Sequence, residues 1–222
     1  MTPPSASNQG PVVIAIDGPA ASGKGTLAAR LADHFGYARL DSGKLYRATA
    51  RHLRDGGGDP GDPAAAEAAA HQVTAGELED RELASDEIAV LASQISAYPG
   101  VRAALLAFQR DFAAHPPGGA PGAVIDGRDI GTVVCPDATV KLFVTASLEI
   151  RAERRLKELQ EQGRDSIKAR VLQDMRERDA RDQQRAQSPL KRAEDAHIVD
   201  TSGLDADLAF NHALSLVERT RR

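Results

Sequence analysis

A single cysteine, Cys135, among 222 residues rules out an internal disulfide framework. A lone thiol of this kind reads as a small buried apolar group and fits a reducing compartment. No stretch approaches the roughly 20 consecutive apolar residues of a membrane span, and the start MTPPSASNQG has neither the basic segment nor the apolar run of a secretory leader. The expectation is a soluble cytoplasmic protein with a disordered tail over residues 1–10. Strong charge of either sign is also missing. With 28 Lys and Arg against 32 Asp and Glu, the net charge is −4, which argues against a general nucleic-acid binder. Internal repeats and linker-like stretches are absent as well, and 41% hydrophobic residues suffice for a real core. One domain over residues 11–222 is expected.

The charges that are present are unevenly placed. Residues 151–192 hold 13 Lys and Arg against 8 Asp and Glu, a local balance of +5 that leaves −9 for the rest. Most of these side chains read as solvated helix faces laced by i,i+4 pairs, while the arginine excess suggests a local anion site.

Apolar patterning alternates strands and helices. The runs VVIAID (12–17), YARLD (37–41), AVID (123–126), TVKLFVTA (139–146) and AHIVD (196–200) read as buried strands. Helices are expected from Lys24, with Leu27, Leu31 and Phe35 on one face and Gly36 as its stop, and over 42–55, 64–72, 86–97 and 99–115. Three more follow at 147–162, 166–185 and 205–219. Five buried strands separated by helices predict an α/β fold with a five-stranded parallel sheet covered on both faces.

The loop GPAASGKGT, Gly18–Thr26, lies between the first strand and the first helix. In that context backbone N–H groups converge on an anion at the positive end of the helix, and Lys24 can reach β- and γ-phosphates. The common phosphate-loop pattern has Ser or Thr after the lysine. Here that place is Gly25, with Thr26 one step later, as in nucleoside monophosphate kinases, which weakens direct ligation of magnesium by a loop hydroxyl. A guanine switch would carry N-K-x-D, yet the only asparagines, Asn8 and Asn211, precede Gln9 and His212. Another small-metabolite kinase shares the loop and remains an alternative at this point.

Two further stretches fall just past strand ends, where ligands of open α/β sheets bind. In LDSGKLYR, Asp41 and Ser42 are so placed, with Ser42 either capping the next helix or touching a ligand. In VIDGRDIGT, Asp126 could organise magnesium waters and Arg128 could neutralise a phosphate, with Asp129 beside them.

Taken in order, GPAASGKGT, LDSGKLYR, ASQISAYPGVR, IDGRDIGTVVCPDA and RERDARDQQRAQSPL resemble the bacterial cytidylate kinase family, which phosphorylates CMP and dCMP with ATP. The resemblance spans about residues 12–200. It implies a P-loop kinase core, a nucleoside monophosphate-binding insert over about 48–115 and a short lid over about 154–166. By the same resemblance Gly18, Pro19, Ala20, Ala21, Ser22, Gly23, Lys24, Gly25 and Thr26 hold ATP, with magnesium carried on the nucleotide and its direct ligands unassigned. Ser42, Ser93, Arg102 and Asp129 surround the cytosine, and Arg47, Arg128 and Arg178 face the acceptor phosphate. Asp182 and Arg185 match further contacts to sugar and base, and Lys24, Arg128 and Arg178 carry the catalytic charge. Partners beyond ATP and CMP or dCMP are not expected: no nucleic acid polymer, no membrane, and a monomer. Family members carry a β-rich stretch in the insert, whereas residues 48–92 have no alternating run, so a shortened, mostly helical insert is expected.

The chemistry fits these residue types. Two anions must meet head to head, so phosphoryl transfer needs fixed positive charge and positioning above all. Arg178, Asp182 and Arg185, spaced i, i+4 and i+7, share one helix face, as would a solvated salt-bridge ladder. Asp129 can accept from the exocyclic amino group that distinguishes cytosine from uracil.

Overall fold

The computed structural model describes residues 10–161, 163–185 and 188–221. Residues 1–9 of the tail expected over 1–10, and Gln162 at the expected end of one helix, lie outside them. Strand β1 (Val12–Asp17) leads into helix α1 (Lys24–Phe35), which Gly36 ends in a left-handed conformation at φ 64°. Then come β2 (Ala38–Asp41), α2 (Ser42–Asp55), α3 (Pro63–Ala70), α4 (Asp86–Ile95) and α5 (Pro99–Ala114). The rest of the chain is β3 (Gly122–Gly127), β4 (Val140–Thr145), α6 (Leu148–Glu161), α7 (Lys168–Gln184), β5 (His197–Asp200) and α8 (Ala206–Thr220).

The five strands form one parallel sheet of order β2-β3-β1-β4-β5. Successive side chains of a strand point to opposite faces, and here both faces are covered. Ile14, Ile16, Val124 and Leu142 pack on α1 and α8, with Leu27, Leu31, Ala213 and Val217. Ala15, Ala123 and Ile125 pack on the other side against Leu45, Leu53, Ile88, Ile95, Val101 and Leu105 from α2, α4 and α5. This double burial is why the strands read as continuous apolar runs. A smaller cluster, Ala152, Leu159, Val171 and Met175, joins α6 to α7.

Between α2 and α5 the described chain has helices and two short 3₁₀ turns, Ala75–Glu77 and Arg81–Ala84, and no strand. These turns are tied to α2 by charge: Arg51 reaches Glu77 at 2.5 Å and Asp80 at 2.6 Å, and Arg54 reaches Glu82 at 2.6 Å. Among the described residues no helix is long and apolar enough to cross a membrane.

The parallel register aligns the carboxyl ends of three strands. Asp41 pairs in register with Asp126, and Asp126 with Ile16, so Asp17, Asp41 and Asp126 end their strands side by side. That end of the sheet opens into a cleft of about 800 Å³.

Candidate active site

The loop after β1 takes its shape from contacts that a larger residue would break. Gly18 has φ 155°, and a β-carbon there would collide with the carbonyl oxygen of Val144 on β4. Gly23, at φ 87°, precedes α1 with no side-chain cap, so the first N–H groups of the helix stay available to an anion. Loop carbonyls are drawn outward: Thr201 Oγ1 donates to Ser22 O at 2.9 Å and Arg151 Nη1 to Ala20 O at 3.3 Å. Arg154 donates to Thr201 Oγ1 at 2.9 Å, and Arg151 pairs with Asp179 on α7 at 2.6 Å. With these carbonyls held by side chains from other elements, the loop can offer its N–H groups to a phosphate.

Lys24 folds back over this loop, its Nζ 3.5 Å from Pro19 O. Burial pushes its ammonium well below the ordinary lysine range, and Arg128 adds to that push. Burial likewise pushes Asp126 above the carboxylate range, helped by the neighbouring Asp41. Ala20, Ala21, Lys24 and Gly25 line the cleft. Ser22 is fully buried beneath the loop, Thr26 is exposed, and Gly18, Pro19 and Gly23 shape the turn without lining the cleft.

The expected acceptor residues all line the same cleft: Ser42, Arg47, Ser93, Arg102, Arg128, Asp129, Arg178, Asp182 and Arg185. Ser42 is not the helix cap. Asp41, one residue earlier and still extended, caps α2 by accepting from Gly43 N at 2.9 Å, while Ser42 Oγ donates to Asp126 O at 2.8 Å and ties α2 to β3. Arg47 donates to Leu83 O at 2.8 Å, and burial lowers its pKa. Ser93 presents a buried hydroxyl with no hydrogen-bond partner.

Two ionic clusters occupy the far end. Arg102 is buried and pairs with Asp129, its guanidinium 5.6 Å above the ring of Tyr46 and its Nη1 3.3 Å from Ser96 O. Asp182, 1% exposed, joins Arg128 (2.8 Å) and Arg185, and Arg185 also donates to Ser96 Oγ at 2.9 Å. Burial alone would raise Asp182, but Arg128 and Arg185 outweigh it and hold its pKa below the usual range.

The helix-face expectation needs one correction. α7 ends at Gln184, and Arg185 follows in extended backbone at ψ 132°, so the helix presents only Arg178 and Asp182, and Arg185 turns back to Asp182 from beyond its end. The cluster is buried, so a solvated ladder does not describe it.

Arg178 differs from the other arginines. Its Nε is buried with no hydrogen-bond partner, and among the described residues it makes no ion pair. Burial, with Arg128 adding to it, pushes its pKa down to about 10. A guanidinium so placed can take up an anion.

Sequence patterns missed several residues that build the site. Asp17 accepts from Ile130 N and Gly131 N, each at 2.8 Å, and holds the loop after β3. Its signal was a carboxylate ending an otherwise apolar strand, the same signal that singled out Asp126. Asp86, the first residue of α4, pairs with Arg155 at 2.5 Å and with Arg164. Surface arginines give no local sign of so distant a partner.

A parallel sheet of this order, with a phosphate loop after its first strand and a cationic cleft at its carboxyl end, defines a P-loop phosphotransferase. The family model for cytidylate kinase matches residues 14–219, and the chain belongs to that family. A cytidylate kinase of Paramagnetospirillum magneticum is 60% identical over 209 residues, 94% of this chain and 99% of that protein. One from Rhodospirillum rubrum is 58% identical over 206 residues, 93% of this chain and 97% of that protein. Among solved structures, an uncharacterized protein from Eubacterium ventriosum superimposes with a TM-score of 0.53 at 15% identity, over 93% of this chain and 98% of that one, and shows the fold alone.

Proposed function

We propose that this chain transfers the γ-phosphoryl group of ATP to CMP and dCMP, giving CDP and dCDP. The observation that carries the reading is Arg178, a half-buried cation whose buried Nε has no hydrogen-bond partner among the described residues, standing in one cleft with the phosphate loop and the Arg102–Asp129 pair. ATP lies on the loop residues 18–26, its phosphates on their N–H groups and Lys24. The acceptor phosphate meets Arg47, Arg128 and Arg178, which offset the repulsion between two anions as an acceptor oxygen attacks the γ-phosphorus and ADP leaves. Cytosine lies at the far end, against Ser42, Ser93, Arg102 and Asp129, with Asp182 and Arg185 toward the sugar. Ser93 Oγ, buried without a partner, has hydrogen-bonding capacity to give there.

Magnesium arriving with ATP neutralises phosphate charge. The residues present fit it: Asp126 has a buried carboxylate oxygen with no hydrogen bond, next to Asp41, and one or two carboxylates with phosphate oxygens suit a hard cation. Asp126 and Asp41 would hold it. Residues 48–115 serve as the acceptor-binding insert and 154–166 as the lid, and the Asp86 pairs with Arg155 and Arg164 join the two. Free nucleotides as substrates support a cytoplasmic setting.

A coupled assay of ADP release over CMP, dCMP, UMP, AMP and shikimate tests this. Turnover highest with CMP and dCMP is expected. Preference for shikimate or AMP would overturn it.

A further inference from the structure

Asp129 stands at the start of the helical turn Ile130–Val134, and its carbonyl accepts from Val133 N at 2.9 Å and Val134 N at 3.1 Å. A carboxylate in that position ordinarily folds back onto the first free N–H groups of its own turn. Asp129 makes no such bond. Gly131 N–H, one of the groups such a cap would take, donates instead to Oδ2 of Asp17, and the Ile130 N–H before it donates to Oδ1; Asp17 comes from another strand and is 4% exposed. With the first two N–H groups of its turn held by Asp17, Asp129 directs its carboxylate across the cleft to Arg102.

We propose that Asp17 is a positioning residue for base selection: by capping the turn after β3 in place of Asp129, it keeps the Asp129 carboxylate at the base end of the cleft. The inference rests on the reading of Asp129 as the group that meets cytosine. Asp17 itself is the residue before Gly18, so the strand end that launches the phosphate loop also holds the base-reading turn. If the cap is lost, two buried N–H groups lack acceptors, and Asp129, at the head of the same turn, is a carboxylate they can draw away from Arg102. Selectivity then falls while the phosphate loop is untouched.

Asp17→Asn keeps the size but sets an NH₂ group against one of the two N–H donors. We expect the ratio of kcat/KM for CMP to that for UMP to fall by about tenfold, the scale of one unpaired buried polar group. KM for CMP should rise more than kcat falls, and the dissociation constant for ATP should stay within about twofold. In an Asp129→Asn background the same change should leave the ratio where it is, because Asp17 acts through Asp129. An unchanged ratio in the single variant, or a further equal drop in the double variant, overturns the proposal.

A second measurement needs no substitution at Asp17. Burial raises its pKa to about 6, with Asp129 adding to the rise and the two N–H bonds and Arg128 opposing it. The other groups facing this corner are Cys135 and the stem of Lys141, which lies along Gly131 and ends in an ion pair with Asp195 at 2.8 Å. As pH falls through about 6 the protonated Asp17 loses an acceptor, so the wild-type CMP to UMP ratio should narrow there and stay flat in Asp129→Asn. The acceptor phosphates also titrate near pH 6, but alike for both nucleotides, and cancel in the ratio. A wild-type ratio independent of pH overturns the role of Asp17 alone. Failure of the wild type to phosphorylate either pyrimidine monophosphate overturns the functional reading and this inference with it.

Discussion

Replacing Arg178 with methionine should make the nucleotide-free protein more stable and a far worse enzyme. Burial, with Arg128 adding to it, pushes its pKa down to about 10, so the fold disfavours the cation. At 1.36 kcal/mol per pKa unit, the drop corresponds to about 3 kcal/mol as an upper bound. The guanidinium is partly reached by solvent, and solvent screening reduces the recoverable part to about 1 kcal/mol. Methionine is of similar length, carries no charge and adapts to the space. For a chain of this size 1 kcal/mol corresponds to a Tm increase of about 2 to 4 °C. On the proposed reading, in which Arg178 meets the acceptor phosphate, the same change should lower kcat/KM for CMP by about 100-fold or more. Thermal unfolding of wild type and Arg178→Met, each with and without CMP, separates the two effects. The variant should start higher and gain less from CMP, since a ligand stabilises only in proportion to its binding. A lower Tm in the absence of nucleotide would refute the reasoning, because it would mean that Arg178 holds the fold together.

Four further outcomes are expected. Lys24→Ala should lower turnover by about two orders of magnitude or more in a folded protein, and near-normal turnover in a steady-state assay would remove the phosphate loop from the chemistry. Arg128→Ala should depress kcat/KM for CMP much more than it weakens ATP binding, with equal losses pointing to the donor side or to the buried pair with Asp182. Asp129→Asn should narrow CMP over UMP discrimination by about 1 to 3 kcal/mol at fixed ATP, whereas equal loss on both nucleotides would leave it only as the partner of Arg102. Burial lowers the Lys24 pKa in the free protein and phosphate binding should restore its proton, so ATP binding above neutral pH should take up protons. Calorimetry in buffers of different ionisation heats reads that uptake, and a buffer-independent heat would contradict it.

The sequence by itself determined the layered architecture and the location of the phosphate loop. Strands buried on both faces leave uninterrupted apolar runs, helices leave a 3.6-residue stripe, and Gly18 and Gly23 mark backbone that a β-carbon obstructs. These are local signals, each confined to about a dozen residues, and they placed β1 at Val12–Asp17 and the stop of α1 at Gly36. Tertiary structure decided which charges pair. Arg102 meets Asp129 across 27 residues, Arg128 meets Asp182 across 54, and Asp17 meets the Ile130 amide across 113. No periodicity records such partners, because a buried carboxylate is stabilised by whichever donor the packing of distant elements brings within about 3 Å. The same packing moved the cap of α2 from Ser42 to Asp41, since β3 had claimed the serine hydroxyl. It also left Arg178 Nε buried with no hydrogen-bond partner among the described residues, a fact that composition could not contain, since the chain holds more acids than bases.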